Sequence, residues 1–383
     1  VIVDQEEREA IVRIAAAEAA QKAGFTLVQD EGLVVENAGL TSLPVPLLGS
    51  FDPAFLDVPE EVIQLTARIN QKYFVMRDAT GKLAPHFVCV ANINAHDGGE
   101  AIVAGNERVL AARFGDARFF WEHDLKVPLE EQATKLSGIV FHEKLGTVAD
   151  KVERVAKLAR WLVEERVIPL PAREGPEVGA ERSEGSAVQP TPDPSLLGRG
   201  ELADQVERAA RLAKADLVTG MVGEFPELQG AIGGYIAERQ GEPKIVADAI
   251  RDHYHTPSEP VSAAVALSDK LDTICAFFGV DQKPTGSKDP FALRRAAIGS
   301  IEIIVGSGLR LDLTKAVRGS LANRAAQSSD ASATHRLDQT VPEILDFFAD
   351  RLKVQQREAG IRHDLIDAVF GLGGEDDLAR LLA

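Results

Sequence analysis

Apolar residues recur at helical spacing through five consecutive stretches, residues 201–223, 226–240, 243–255, 261–278 and 290–306. Periodicity of this kind buries one face of each segment against a neighbouring helix. From Val140 onward the chain is therefore expected to be almost entirely helical. The long amphipathic run Leu145–Arg166 opens this region. Residues 312–325, 341–358 and 362–369 extend it past Gly306-Ser-Gly308 and the small-polar linker 326–334. Residues 171–200 interrupt it with prolines, glycines, serines and acids, and read as a loop insertion.

The first third follows other rules. Residues 6–23 read as a helix stopped by Gly24, and residues 59–69 as a helix with acids in its first turn. Residues 72–77 and 86–93 are β-rich and flank the turn Asp78-Ala-Thr-Gly-Lys82, which predicts a hairpin. Phe25–Val28 and Leu33–Val35 are too short to assign, and residues 99–124 read as a helix. The fold class is thus α+β, mostly α. A chain of 383 residues exceeds one ordinary core. The expected divisions are a mixed α/β domain over 1–139, a helical domain over 140–308, and a further helical region over 309–383.

Hydrophobic and charged fractions of 45% and 26% are those of a water-soluble globular chain. No apolar run is long enough to span a bilayer, so no membrane partner is expected. Cys89 and Cys275 are too few for a disulfide framework and read as reduced core thiols. Val1-Ile-Val-Asp4 lacks the layout of a signal peptide and an initiator Met, so the chain is expected to be an internal piece of a cytoplasmic protein. A net charge of -17 argues against a general nucleic-acid coat, though not against a local basic patch on a structured RNA.

One such patch is Asp281–Ala297, where Lys283, Lys288, Arg294 and Arg295 outnumber Asp281 and Asp289. A Pro/Gly/Ser loop runs there into a helix, with Asp289 as the expected cap and Pro290 at the first helical position. On that helix Arg294 falls within the apolar arc, whereas Arg295 lies on the polar side beside Glu302. A cation on an apolar arc needs a partner. Asp269 and Asp272 of the preceding helix share one face, where they can ligate a metal, pair with cations or face solvent. Arg294 is expected to form a structural ion pair with one of them. A second basic region combines Lys72 with Arg108, Arg113 and Arg118 beside Phe119-Phe120. These residues suit either RNA contacts or a core edge with snorkelling cations.

Other motifs carry less. Asp252-His-Tyr-His255 ends a helix and reads as structural, and Gly230-Ala-Ile-Gly-Gly234 reads as a tight helix–helix corner. The sequence has no Cys-x-x-Cys, His-Glu-x-x-His, calcium loop, Walker loop or nucleophile elbow.

Several collinear blocks resemble the β subunit of bacterial α2β2 glycyl-tRNA synthetase. They include Leu43–Phe51, Asn70–Phe74, Gly105–Leu110, Asp116–Phe120, Glu143–Gly146 and Asp150–Arg154. Ala215–Val222, Ser268–Asp272 and Gly286–Arg295 complete the set. The resemblance implies a central piece of such a subunit, with residues 140–308 as an HD-like helical domain and 309–383 as the truncated start of an anticodon-binding domain. It implies an α subunit that activates glycine with ATP and Mg, tRNA-Gly as partner, and no cofactor in this chain. The HD positions are His142, Asp216 and Asp269, where Ala215 replaces the His of the His-Asp pair. This set is degenerate and is expected to hold no metal. The candidate tRNA contacts are Lys283, Lys288, Arg295, Lys72, Arg108 and Arg113, and no residue is expected to be catalytic. The alternatives are a metal-dependent HD phosphohydrolase and a purely structural assembly module.

Overall fold

The computed structural model describes residues 1–170, 194–328 and 337–360. Two compact units emerge: Val1–Lys126 with the short segment Gly223–Leu228, and Val127–Val222 with the chain from Gln229 onward.

The first unit is a four-stranded antiparallel sheet carrying helices. Its elements are α1 (Gln5–Lys22), β1 (Thr26–Leu27), α2 (Glu31–Leu40), β2 (Val45–Ser50), α3 (Glu60–Thr66), β3 (Phe74–Arg77), β4 (Leu83–Ala91) and α4 (Glu100–Asp124). The strand order is β1-β3-β4-β2. The expected hairpin is β3–β4, and the Asp78 carboxylate closes its turn by accepting from the amides of Thr80 and Lys82. Side chains alternate between faces, as the pleat requires. Phe74, Met76, Ala84 and Val88 join Val12, Ala16 and Ala20 of α1 and Leu33, Val34 and Ala38 of α2 in one core. On β4, Cys89 instead receives a hydrogen bond from Asn106 of α4. The same helix buries Phe114 edge-on against Phe51, with ring centroids 4.9 Å apart. Leu33–Val35 lies inside α2, because Asp30 accepts from the Leu33 amide and starts a helix there.

The second unit is almost all helix, as the periodicity predicts. It holds α5 (Leu129–Thr134), a small hairpin β5 (Val140–His142) and β6 (Gly146–Thr147), and α6 (Val148–Glu164). It continues with α7 (Pro194–Leu212), the first three residues of α8 (Gly220–Glu224), α9 (Ala231–Arg239), α10 (Lys244–Asp252), α11 (Pro260–Gly279), α12 (Leu293–Gly306), α13 (Leu313–Ala326) and α14 (Leu337–Glu358). Residues 171–193 and 362–369 of the sequence reading lie outside the described residues. The insertion read over 171–200 does not reach residue 200: α7 already begins at Pro194, a residue tolerated in a first helical turn.

α11 is the axis of this unit, and sixteen of its residues are buried. Small residues (Ala263, Ala264, Ala266, Cys275, Ala276) let α6, α7, α10, α12, α13 and α14 approach it from several sides. α6 is entered through a capping box in which Thr147 and Asp150 bond each other's amides. α13 and α14, both past residue 309, pack on α11 and on each other.

Candidate functional site

Asp289 does cap α12, accepting from the amides of Leu293 and Arg294 at 2.9 Å each. The helix nevertheless begins at Leu293 and not at Pro290, because Ala292 takes a left-handed conformation with φ 53°. Lys288 and Thr285 exchange backbone hydrogen bonds and close the loop into a tight turn. Phe291 stacks on Phe277 of α11, with centroids 3.9 Å apart. The corner is therefore stiff on both sides.

Its four cations separate into roles. Arg294 does not meet Asp269 or Asp272: its Nη2 donates to the Gly286 carbonyl at 2.6 Å and braces the loop from within. The later helix start half-exposes this side chain, and other cations already hold both aspartates. Lys283 pairs with Glu343 of α14 at 2.8 Å and with Asp281 at 3.1 Å. Lys288 and Arg295 are exposed and make no ion pair among the described residues.

Asp269 and Asp272 lie at the centre of the unit, not on a solvated face. Arg154 of α6 grips Asp272 with both prongs, Nε to Oδ1 at 2.8 Å and Nη2 to Oδ2 at 3.1 Å, and both side chains are at most 2% exposed. The Arg154 Nη1 also donates to Gln327 Oε1 at 2.7 Å, which ties in α13. Lys151 reaches Asp269 at 3.0 Å and donates to Thr273 Oγ1 at 2.6 Å, while Lys214 donates to Asp269 at 3.2 Å. Lys214 also sits 3.7 Å from the centre of the Tyr254 ring, a cation–π contact. Burial alone would raise the Asp269 carboxyl, but the two ammonium groups outweigh it and hold the group far below the usual range. Burial pulls Lys214 down, with Asp269 opposing.

Asp216 is fully buried and caps α9, its Oδ2 accepting from Gly230 at 2.5 Å and Gly233 at 3.1 Å. Burial pushes its carboxyl up to about 6 against those two bonds. His142 lies elsewhere in function: its ring packs edge-on to Phe277 and Phe291, and Nδ1 accepts from the Lys144 amide. Among the described residues no three His, Cys, Asp or Glu side chains gather as a metal-holding group. The donor set around Asp269 does not suit a divalent cation, because two ammonium groups already neutralise the carboxylate and would repel the ion.

In the first unit Lys72 is tied to Glu36 at 2.7 Å. Arg108 and Arg113 are exposed on α4 without an ion pair among the described residues, and Arg118 is held by Glu122. Phe119 is 65% exposed, so that edge of α4 is not a closed core.

The collinear blocks find their match in known proteins. Residues 1–371 fit the family model described as glycyl-tRNA synthetase beta subunit. The chain belongs to this family. It is 48% identical to the glycine–tRNA ligase beta subunit of Rhodospirillum centenum over the whole chain and 49% of that protein. It is also 48% identical to that of Phenylobacterium zucineum, covering 50% of it, and 45% identical to that of Paracoccus denitrificans, again covering 50%. The chain thus spans about half the length of the curated relatives it matches.

Within this beta-subunit chain, sequence reasoning missed Lys151, Arg154 and Lys214, which complete the buried cluster beside His253, a residue already read as structural. A signal was there. Lys151 and Arg154 interleave with Val148, Val152 and Val155 on the buried face of α6, the position at which a cation requires an acid.

Proposed function

We propose that this chain is the tRNA-handling half of a glycine–tRNA ligase β subunit, acting with an α subunit in an α2β2 enzyme of the cytoplasm. The α subunit would activate glycine with ATP and Mg, and this chain would supply no bond-making residue. One observation carries the reading: Lys288 and Arg295 stand uncommitted on a braced corner of an acidic chain, whereas Arg294 and Lys283 of the same corner are spent on structure. Phosphate contacts from such cations position RNA without reading its sequence. Arg108 and Arg113 offer a second set in the first unit, and Lys72 and Lys283 are the weaker candidates because each is already paired.

The test is aminoacylation of tRNA-Gly by the assembled α2β2 enzyme carrying Lys288→Ala and Arg295→Ala together. The expected outcome is a KM for tRNA raised about tenfold, from two exposed phosphate contacts of roughly 0.7 kcal/mol each. Glycine-dependent ATP–pyrophosphate exchange should stay unchanged. A wild-type KM would remove this corner from the RNA interface. Loss of α-subunit association would instead favour an assembly module.

A further inference from the structure

A small cavity lies where α6, α7, α10 and α11 converge, lined on its polar side by Lys151, Lys214, His253 and Asp269. Its free space, about 10 Å³ for the centre of a water-sized sphere, suits one small molecule. Val152, Val155, Ala210, Ala213 and Val265 form the rest of its wall, so the polar groups meet it at one side only. His253 is completely buried, and its Nδ1 lies 2.7 Å from the Ile250 carbonyl oxygen. A carbonyl only accepts, so Nδ1 carries the proton. Burial and the neighbouring Lys214 ammonium keep the ring neutral. Nε2 is then a lone-pair acceptor, and it is buried with no protein partner. Buried acceptors of this kind are almost always satisfied.

We infer that this cavity is a built site for a single ordered water molecule, which bridges His253 Nε2 to Lys214 Nζ and the Asp269 carboxylate. The donor and acceptor arithmetic closes. Lys214 has three N–H groups; one goes to Asp269 and one faces the Tyr254 ring. The third donates to the water oxygen. One water hydrogen goes to His253 Nε2 and the other to Asp269, giving the water three partners, the usual number for a buried water. A metal ion does not fit, because Lys151 and Lys214 flank the space. Chloride is disfavoured by the Asp269 carboxylate and by the bare imidazole lone pair. The water would join α7, α10 and α11 at a point where protein groups alone leave the His253 Nε2 acceptor open.

An atomic-resolution crystal structure of the full β subunit, with anomalous data, tests this. One isolated peak is expected within hydrogen-bond reach, about 2.7–3.2 Å, of both His253 Nε2 and Lys214 Nζ, with no anomalous signal. In solution, the His253 ring should show the Nδ1–H tautomer by nitrogen NMR. Lys214→Met should remove the peak while leaving the Arg154–Asp272 pair in place. An empty cavity in the wild-type protein, an anomalous scatterer in it, or an Nε2–H tautomer each overturns the inference, and none of these depends on a variant that folds.

Discussion

Asp216 is buried and Asp269 largely so, yet the two carboxylates act on stability with opposite sign. Asp269 has a folded pKa far below its unfolded value of about 3.9, so it adds stability above that pH and loses it on acidification. Asp216 is raised to about 6, so the folded state binds its proton more strongly than the unfolded chain does. Stability from this group therefore falls as pH rises from about 4 to about 6, by on the order of 3 kcal/mol. Asp216→Asn keeps an oxygen for the Gly230 and Gly233 amides and removes the titration. The variant should match wild type near pH 4 and be more stable at pH 7, as read by urea unfolding at both values. Equal stabilities at pH 7 would show that the charge is already compensated.

The Arg154–Asp272 pair shows a limit of sequence reading at this same scale. Each partner is legible as a charged residue at a buried position, but the two are separated by 118 residues, and only packing of α6 on α11 brings them together. The sequence pairing of Arg294 with Asp269 or Asp272 failed for that reason: it rested on the apolar arc of the next helix, whereas the partners come from α6 and from just past the end of α7. Asp272→Asn should cost about 3–5 kcal/mol, because it strands a buried guanidinium. The double variant Arg154→Met with Asp272→Leu should recover most of that loss. A single variant that melts like wild type would contradict the buried pair.

At the scale of elements, helices were legible because their apolar period is long and repeated, and α1, α4, α6 and α11 fall close to where periodicity puts them. Strand β2 was not, since Pro46 and Gly49 contradict strand composition. It forms as an edge strand, and Gly49 is needed because a Cβ there would lie 2.5 Å from the Phe87 ring. The corner Gly230–Gly234 was legible as a close approach, and α9 does meet α10 there. A Cβ on Gly234 would sit 2.7 Å from Arg251 Cβ and 3.0 Å from the Ala247 carbonyl oxygen. Gly105 and Gly115 on α4 face open space instead. The same substitution therefore has opposite effects. Gly234→Ala should destabilise by about 1–3 kcal/mol through forced separation of two helices. Gly105→Ala should stabilise by up to about 1 kcal/mol through helix propensity. Thermal unfolding of the two variants checks both signs at once.

For the whole molecule, the proposed function raises the question how a chain of net charge -17 would engage a polyanion. The answer lies in how its cations are spent. Arg154, Arg160, Arg208, Arg211 and Lys214 are committed to carboxylates, so their charge is cancelled locally. Lys288 and Arg295 in one unit, and Arg108 and Arg113 in the other, are the exposed cations argued above to stay open to phosphate. Binding through so few contacts should show a shallow salt dependence, since each neutralised phosphate releases about one counterion. In the assembled enzyme, a plot of log affinity for tRNA-Gly against log salt should therefore have a small slope. Lys288→Ala should flatten it by roughly one further unit without changing preference among tRNAs. A steep wild-type slope would mean that many more cations touch RNA than these, and that the second half of the β subunit or the α subunit supplies them. An unaltered slope in the Lys288→Ala enzyme would leave that residue off the phosphate backbone, whatever happens to its catalytic rate.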